Sequence, residues 1–419
     1  MKKNIFYAQS GGVTPVINAT ALGLIKSALK NRNLFGKVFA GKNGIIGALK
    51  EELIDISKEN KKELEKLKFT PGGAFGSCRL KLKDPIKNKR EFQRILEVFN
   101  AHNIGYFFYN GGGDSQDTTL KLSQFFKSMN YDIKCIGLPK TIDNDLPITD
   151  NCPGFGTAAK YIAVSTFEAS LDVSSMAESS TKVFILEVMG RHAGWLAAAS
   201  GIIKKTNTDA PHIILLPEVT FNSKKFLQKV NQIVKKEGYC VVVTSEGIRN
   251  NKKEFLSSSK DRDSFGHAQL GGVAPKLAAL ISTSLKYKVH WSVSDYLQRA
   301  SRHIGSKIDV EQAFELGKKS IQFAKQGKNE IMLTIKAKKK NAKYSWSIGY
   351  TNLQNVANKE KPLPKKFISV DRFGISHKCK EYILNLVKGE DYPQYKNGIP
   401  QYAKLKKTLI KKKLKKFLI

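Results

Sequence analysis

The residue types best suited to chemistry gather in Pro139-Lys140-Thr141-Ile142-Asp143-Asn144-Asp145, directly after an apolar run at 133–137. Two carboxylates two residues apart beside a lysine suit phosphoryl transfer. One accepts a hydroxyl proton, the other orients it or holds a metal, and the cation neutralises oxygens of the moving group. An Asx-rich surface turn would use the same residues, because Asp and Asn readily bond their own backbone. Glycine clusters add places for a phosphate. Ser10-Gly11-Gly12 follows the first apolar run and precedes a helical pattern, leaving backbone N–H groups bare at a helix N-terminus. Any tight turn from strand to helix would also use a glycine pair. Asn110-Gly111-Gly112-Gly113-Asp114-Ser115-Gln116 repeats the arrangement. Capping of a helix from Gln116 onward accounts for Asp114 and Ser115, but not for three glycines, each costly in backbone entropy. Met189-Gly190-Arg191-His192, Pro217-Glu218 and Tyr296-Leu297-Gln298-Arg299 each follow a further apolar run. Guanidinium groups there clamp phosphates and a carboxylate can hold sugar hydroxyls, although singly each could form an ordinary surface ion pair.

Such residues need strands to deliver them. Short runs rich in β-branched and aromatic residues at 5–8, 106–109, 133–137, 182–188, 212–216, 239–244, 288–293 and 330–336 alternate with helical patterns. The helical stretches fall at about 16–30, 89–102, 116–128, 157–171, 192–204, 223–237, 268–285 and 310–325. This alternation predicts an α/β fold of parallel sheets with helices on both faces, and 419 residues leave room for two such layers. Ligands of open α/β sheets sit at the carboxyl ends of strands, which is where the clusters above lie. Three segments break the alternation. Residues 250–266 are polar and weakly periodic and read as a mobile loop or lid, and residues 336–347 read as a hairpin around a Lys-Lys-Lys-Asn turn. Residues 404–416 carry eight lysines, with Leu405, Leu409, Ile410, Leu414 and Leu418 at roughly helical spacing. A basic amphipathic helix there could lie on an anionic membrane or a nucleic acid. Few aromatic residues are interleaved for base stacking, however, and the expected arrangement docks the apolar stripe on the body and leaves the lysines in water.

Composition narrows the class. With 41% hydrophobic and 26% charged residues the chain is that of a folded globular protein, and no apolar run approaches a membrane span. Five scattered cysteines without a Cys-x-x-Cys pair point to a reduced, cytoplasmic protein and away from a zinc ribbon. The 71 basic against 36 acidic residues, a formal +35, favour nucleic acid, an anionic membrane or phosphorylated small molecules as partners. Because the lysines are spread along the whole chain, that charge alone selects none of the three.

Taken in order from residue 5 to about 327, the motifs resemble the phosphofructokinases, and within them the pyrophosphate-dependent enzymes. The resemblance implies two Rossmann-like α/β/α domains with the active site in the cleft between them. A donor domain at 1–150, completed by part of 300–350, would face a fructose 6-phosphate domain at 151–299, with a C-terminal extension at 350–419. It implies reversible phosphoryl transfer to the 1-hydroxyl of fructose 6-phosphate, the first committed step of glycolysis, with magnesium as cofactor and a homo-oligomer, most simply a dimer. Residue by residue, Gly11, Gly12, Arg79, Gly112, Gly113 and Ser115 fall on the donor side. Asp143 stands at the general base, with Thr141 and Asp145 beside the sugar. Met189, Gly190 and Arg191 match a sugar-phosphate segment, Glu218 the carboxylate that holds the sugar, and Tyr296 with Arg299 the 6-phosphate clamp. Lys182 and His290 replace arginines with which many relatives reach a neighbouring subunit's substrate.

Two positions bear on the phosphate donor. Relatives that use ATP read GGDGS and PGTIDND, whereas this chain reads GGGDS and PKTIDND. Asp114 thus replaces a glycine that leaves room for the α-phosphate of ATP, and its charge repels the nucleotide. Lys140 places a cation at the transferring phosphoryl group. The resemblance therefore implies pyrophosphate as donor, with ATP as the alternative. Relatives usually carry a magnesium-binding Asp or another polar residue where this chain has Gly113, so magnesium falls to Asp114, to water or to the pyrophosphate. A binding protein that lost catalysis at that glycine is the alternative outside the enzymes. The stretch GKVFAGKN at 36–43 nearly matches a Walker P-loop, but it ends in Asn and follows a helix and a polar turn. Asp263-Ser264-Phe265-Gly266 only mimics a protein-kinase motif, and the seven histidines form no zinc-enzyme pattern.

Overall fold

The structure, a computed structural model, describes residues 2–418 apart from 83, 263–267 and 341–342. Its first sheet contains β1 (Asn4–Ser10), β2 (Val38–Gly41), β3 (Leu53–Asp55), β4 (Ser77–Cys78), β5 (Ile104–Gly111) and β6 (Lys134–Pro139). The second is built from β7 (Val183–Val188), β8 (Ile213–Leu215) and β9 (Cys240–Ser245), followed after the small hairpin β10 (Ser258–Arg262) and β11 (Ala268–Leu270) by β12 (Val289–Val293). The chain then returns to the first sheet with β13 (Ile331–Lys340) and β14 (Lys343–Asn352). The orders are β14-β13-β6-β5-β1-β2-β3, with β4 beside the end of β1, and β12-β7-β9-β8. The inner strands of both sheets pair in parallel. Parallel strands are covered on both faces, which is why β1 and β9 are buried almost throughout and read as continuous apolar runs.

All eight strands expected from the sequence are present, and β13 and β14 form the expected hairpin, whose turn lies outside the described residues. Residues 250–266 are less irregular than their composition suggests, since β10 pairs antiparallel with β11; 263–266 lie outside the described residues. The helix expected from 268 begins at Val273, after the second hairpin strand, and the one expected at 192–204 reduces to Trp195–Ala199 and a 3-10 turn, Ser200–Ile203. Helix Lys307–Lys325 crosses back to pack on Ile17–Lys30 under the first sheet. Glycines on both make the approach possible, because a Cβ on Gly23 would lie 2.0 Å from the Phe314 carbonyl and one on Gly317 2.0 Å from that of Thr20.

The lysine-rich tail departs from expectation. It is an extended strap, not a helix, and its Leu409 bridges Ile54 antiparallel at the sheet edge. The edge and three carboxylates supply partners that a strap needs and a helix does not. Asp55 N–H donates to Thr408 O, Ile410 N–H to Leu53 O, and the N–H groups of Lys406 and Lys407 to Glu59. Lys404 N–H donates to Glu63, and those of Lys413 and Leu414 to Glu51. Leu405 and Leu409 pack on one face of the sheet and Ile410, Leu414 and Phe417 on the other. The eight lysines remain exposed, so the apolar side docks as expected although the conformation differs.

Candidate active site

β1, β5 and β6 are neighbours, so their carboxyl ends bring residues 10–12, 110–115 and 139–145 together. Lys140 is the link: its N–H donates to Gly111 O at 3.2 Å and its Nζ to Gly12 O at 2.6 Å. Gly11 has φ +71°, a left-handed conformation that side chains disfavour, and a Cβ on it would stand 3.5 Å from Lys140 Nζ. A Cβ on Gly12 would stand 3.2 Å from Arg299 Cζ, which has crossed over from beyond β12. The two sheets therefore meet at this glycine pair. β4 holds the loop from the other side, with Gly11 N–H on Cys78 O and Ser77 Oγ on Gly11 O, and delivers Arg79 next in the chain.

The second glycine cluster starts its helix three residues earlier than expected. Gly112 is the N-cap of Gly113–Ser128, and its carbonyl accepts from the N–H groups of Ser115 and Gln116. Asp114 and Ser115 consequently sit inside the first turn and do not cap it. Ser115 is buried against Gly111, while Asp114 Oδ1 pairs with Lys81 Nζ at 2.5 Å, a cation that no sequence motif marks. Gly112 lies beside Lys140 O; a Cβ on Gly113 would meet nothing within 4 Å.

From the second sheet, the ends of β7, β9 and β12 supply the opposing wall. Met189 N–H donates to Gln298 Oε1 at 3.2 Å, tying 189–191 to the segment that carries Tyr296 and Arg299. Arg299 Cζ lies 4.3 Å from the Tyr296 ring centroid. Gly190, at φ +133°, donates to Glu246 Oε1 at 3.4 Å, and the charge of Arg191 acts on the same carboxylate. Glu218 sits apart: its Oε1 accepts from Gly194 N–H and Leu363 N–H, anchoring the start of helix Trp195–Ala199. Glu246 is the carboxylate whose field reaches Asp143. No motif marks it, but it follows β9 directly as Lys140 follows β6, and a polar residue at a strand's carboxyl end is a signal in itself.

Electrostatics distinguishes these side chains from surface charges. Burial first, then the negative charges of Asp145 and Glu246, push the Asp143 carboxyl up to about 7, while Lys140 and Arg299 oppose the rise. Asp145 is raised by burial and by Glu360. Lys140 is driven the other way, down to about 7, by burial and by Arg299. Thr141 Oγ1 fixes the turn by accepting from Asp143 N–H at 3.0 Å. Asp143 Oδ1, Arg299 Nε and Glu218 Oε2 are among the buried side-chain atoms of the described residues without a hydrogen-bond partner; the first two lie where the sheets meet and can take polar atoms of a ligand there. A buried base that titrates near neutrality beside convergent cations can deprotonate a hydroxyl and steady a moving phosphoryl group. A cavity of about 630 Å³ bounded by Lys127, Tyr131, Asn329 and Gln354 lies at the amino end of β6, away from this chemistry.

The sequence profile described as phosphofructokinase matches residues 4–324. The chain belongs to the phosphofructokinase family. It is 53% identical over 414 residues, 99% of either chain, to a Halomonas elongata protein named pyrophosphate–fructose 6-phosphate 1-phosphotransferase. A Rhodospirillum rubrum protein of the same name is 35% identical over 394 residues, 92% of this chain and 94% of that one. Among solved structures, the pyrophosphate-dependent phosphofructokinase of Marinobacter aquaeolei matches with a TM-score of 0.91 and 54% identity, covering all of both chains. Phosphofructokinase of Pichia pastoris, 18% identical with a TM-score of 0.65 over 85% of this chain and 37% of that one, shares the fold.

Within this phosphofructokinase fold, Lys182 stands at the amino end of β7 and His290 on the edge strand β12. Lys182 Nζ donates to the carbonyls of Ala177 and Glu178, and His290 is exposed on β12. Among the described residues no three His, Cys, Asp or Glu side chains gather as a metal site. A magnesium ion held among phosphates takes one or two carboxylates, and Asp114, with open space at Gly113, fits that need.

Proposed function

We propose that this member of the phosphofructokinase family transfers a phosphoryl group from pyrophosphate to the 1-hydroxyl of fructose 6-phosphate, yielding fructose 1,6-bisphosphate and phosphate, reversibly. The observation that carries the reading is Lys140, buried against Gly12 O, with Arg299 and the unpartnered Asp143 beside it. Asp143 takes the hydroxyl proton as the sugar oxygen attacks the terminal phosphorus, and phosphate leaves. Lys140 offsets charge on the moving group, and Gly11, Gly12 and Arg79 face the departing phosphate. Arg191, Tyr296 and Arg299 hold the 6-phosphate, and Glu246 takes the sugar hydroxyls that the family resemblance assigns to Glu218. Asp114 disfavours the additional phosphate of a nucleotide. Asp114 would hold magnesium together with pyrophosphate oxygens, and the ion would supply further neutralisation of phosphate charge.

The same reading includes a division of labour, with the first sheet serving the donor and the second the sugar. It includes a reducing, cytoplasmic setting, supported by five buried and unpaired cysteines. No helix among the described residues is long and apolar enough to cross a membrane. A homodimer is supported by exposed apolar side chains on the second sheet and its helix: Phe167, Leu171 and Met176 on helix Phe155–Met176, Trp291 and Val293 on β12, and Leu297 beyond it. β12 is an edge strand open on both faces, a form that a second copy would cover. The test is formation of fructose 1,6-bisphosphate by purified protein given fructose 6-phosphate, pyrophosphate and magnesium. Absence of product overturns the proposal.

A further inference from the structure

The catalytic loop, residues 140–154, has little regular structure of its own, so its backbone groups must find partners elsewhere. Several of them find partners beyond residue 324, outside the part of the chain that the family profile matches. Lys361 N–H donates to Asp145 O at 2.6 Å, and its Nζ donates to Thr149 O at 3.0 Å and Asp150 O at 3.1 Å. On its other side, Lys361 O accepts from Trp195 Nε1 at 3.1 Å, and the ammonium lies 5.3 Å from the Trp195 ring centroid. Tyr382, from helix His377–Leu386, closes a second link: its hydroxyl donates to Asp150 O at 2.6 Å and accepts from Asn144 Nδ2 at 2.9 Å. Asn144 stands between the two carboxylates at φ +53°, a conformation the rest of the loop must enforce, and its Oδ1 accepts from Cys152 N–H. The neighbouring Leu363 N–H reaches Glu218.

We propose that Lys361 is a positioning residue for phosphoryl transfer: its ammonium pins the loop at Thr149 and Asp150, and so holds the Asp143 carboxylate in register with the buried helix Trp195–Ala199. The inference rests on the reading of Asp143 as the base. Lys361 touches no reacting atom; it acts through the loop. Burial lowers the pKa of this lysine while Asp145 and Asp150 sustain its charge, the balance expected of a cation enclosed for a structural purpose.

The test compares Lys361→Met, Lys361→Arg, Tyr382→Phe and Asp143→Ala in the full-length enzyme, measuring kcat, KM for each substrate and Tm. Lys361→Met keeps both backbone hydrogen bonds and loses only the ammonium. The expected result is a fall in kcat of about 10- to 100-fold with each KM within about threefold of wild type, as for misplacement of a reacting group. Lys361→Arg restores kcat to within about fivefold of wild type, since it can donate to the same carbonyls. Tyr382→Phe, which keeps its ring in the core, lowers kcat by about 3- to 10-fold in the same pattern. Unchanged kcat in Lys361→Met, an effect confined to KM, or an arginine no better than methionine overturns the proposal. If Lys361→Met fails to fold, Tyr382→Phe with unchanged kcat overturns it equally. An active Asp143→Ala sinks the assignment of the base; an inactive Asp143→Ala beside a normal Lys361→Met sinks only the role of Lys361.

Discussion

Lys140→Met keeps the reach of the side chain and removes its charge. In the native site burial and Arg299 lower the lysine's pKa from 10.5 to about 7. At about 1.4 kcal/mol per pKa unit, holding that cation in the fold costs on the order of 5 kcal/mol below pH 7. The unfolded chain binds the proton more tightly, so the group lowers stability at acid and neutral pH, and the penalty fades as pH rises from about 7 to 10.5. Methionine removes the penalty, and Asp143 and Asp145 can take up protons in place of their lost counterion. The variant is therefore expected to melt no lower than wild type at pH 6. Catalysis should move the opposite way, because loss of one preorganised charge at the transition state costs about 10²- to 10³-fold in kcat, or about 3–4 kcal/mol. In wild type, kcat/KM for pyrophosphate should fall as pH rises through the free-enzyme pKa near 7, whereas bound polyanion holds the lysine charged and moves that limb upward in kcat. Thermal melts and initial rates across pH read both effects. A variant with wild-type kcat, or one inactive only because it has unfolded, refutes the reasoning.

Asp143→Asn should lower kcat by about 10²- to 10⁴-fold and erase the acid limb of the rate profile, which in wild type falls as pH drops through about 7 and the base takes up its proton. Glu246→Gln should lower kcat/KM by about tenfold with KM for pyrophosphate unchanged, as expected for a carboxylate on the sugar side; steady-state kinetics with each substrate varied decides this. Trp291→Lys, which puts a charge on the exposed face of the edge strand β12, should halve the mass measured by light scattering. Deleting residues 404–419 should lower Tm by roughly 5 °C or more, because it bares the surface that Leu405, Leu409 and Leu414 cover, and should leave RNA binding by filter assay unchanged.

The fold was legible wherever strands are buried on both faces. Runs such as the Cys240–Ser245 strand contain little but apolar residues, and no helix of that length would follow them with Glu246 and a glycine. Short strands were not: Val38–Gly41 passed for part of a decoy loop, and the edge strand Leu53–Asp55 has only three residues to show a period. The tail misled because its leucines have helical spacing, while its conformation is decided by distant partners, Glu51, Glu59 and Glu63, whose carboxylates take its N–H groups. Spacing along a segment cannot reveal what lies across from it. The convergence of the first sheet's loops was readable, since the glycines and Lys140 follow strands directly. The second sheet's share was less readable: Glu218 and Glu246 both follow strands there, and only the packing shows that the charge of Glu246 acts on Asp143. Lys361 and Tyr382 carried no local signal at all, being separated in sequence from the loop they hold by more than two hundred residues.

The central claim is that Asp114 and Lys140 make this a pyrophosphate enzyme. Its most direct test is the ratio of kcat/KM for pyrophosphate to that for ATP, measured on one preparation with saturating fructose 6-phosphate and magnesium. A ratio of at least about 10³ is expected, since a misplaced like charge and a side chain in the nucleotide's path together exclude it by 4 kcal/mol or so. A ratio below one contradicts the account.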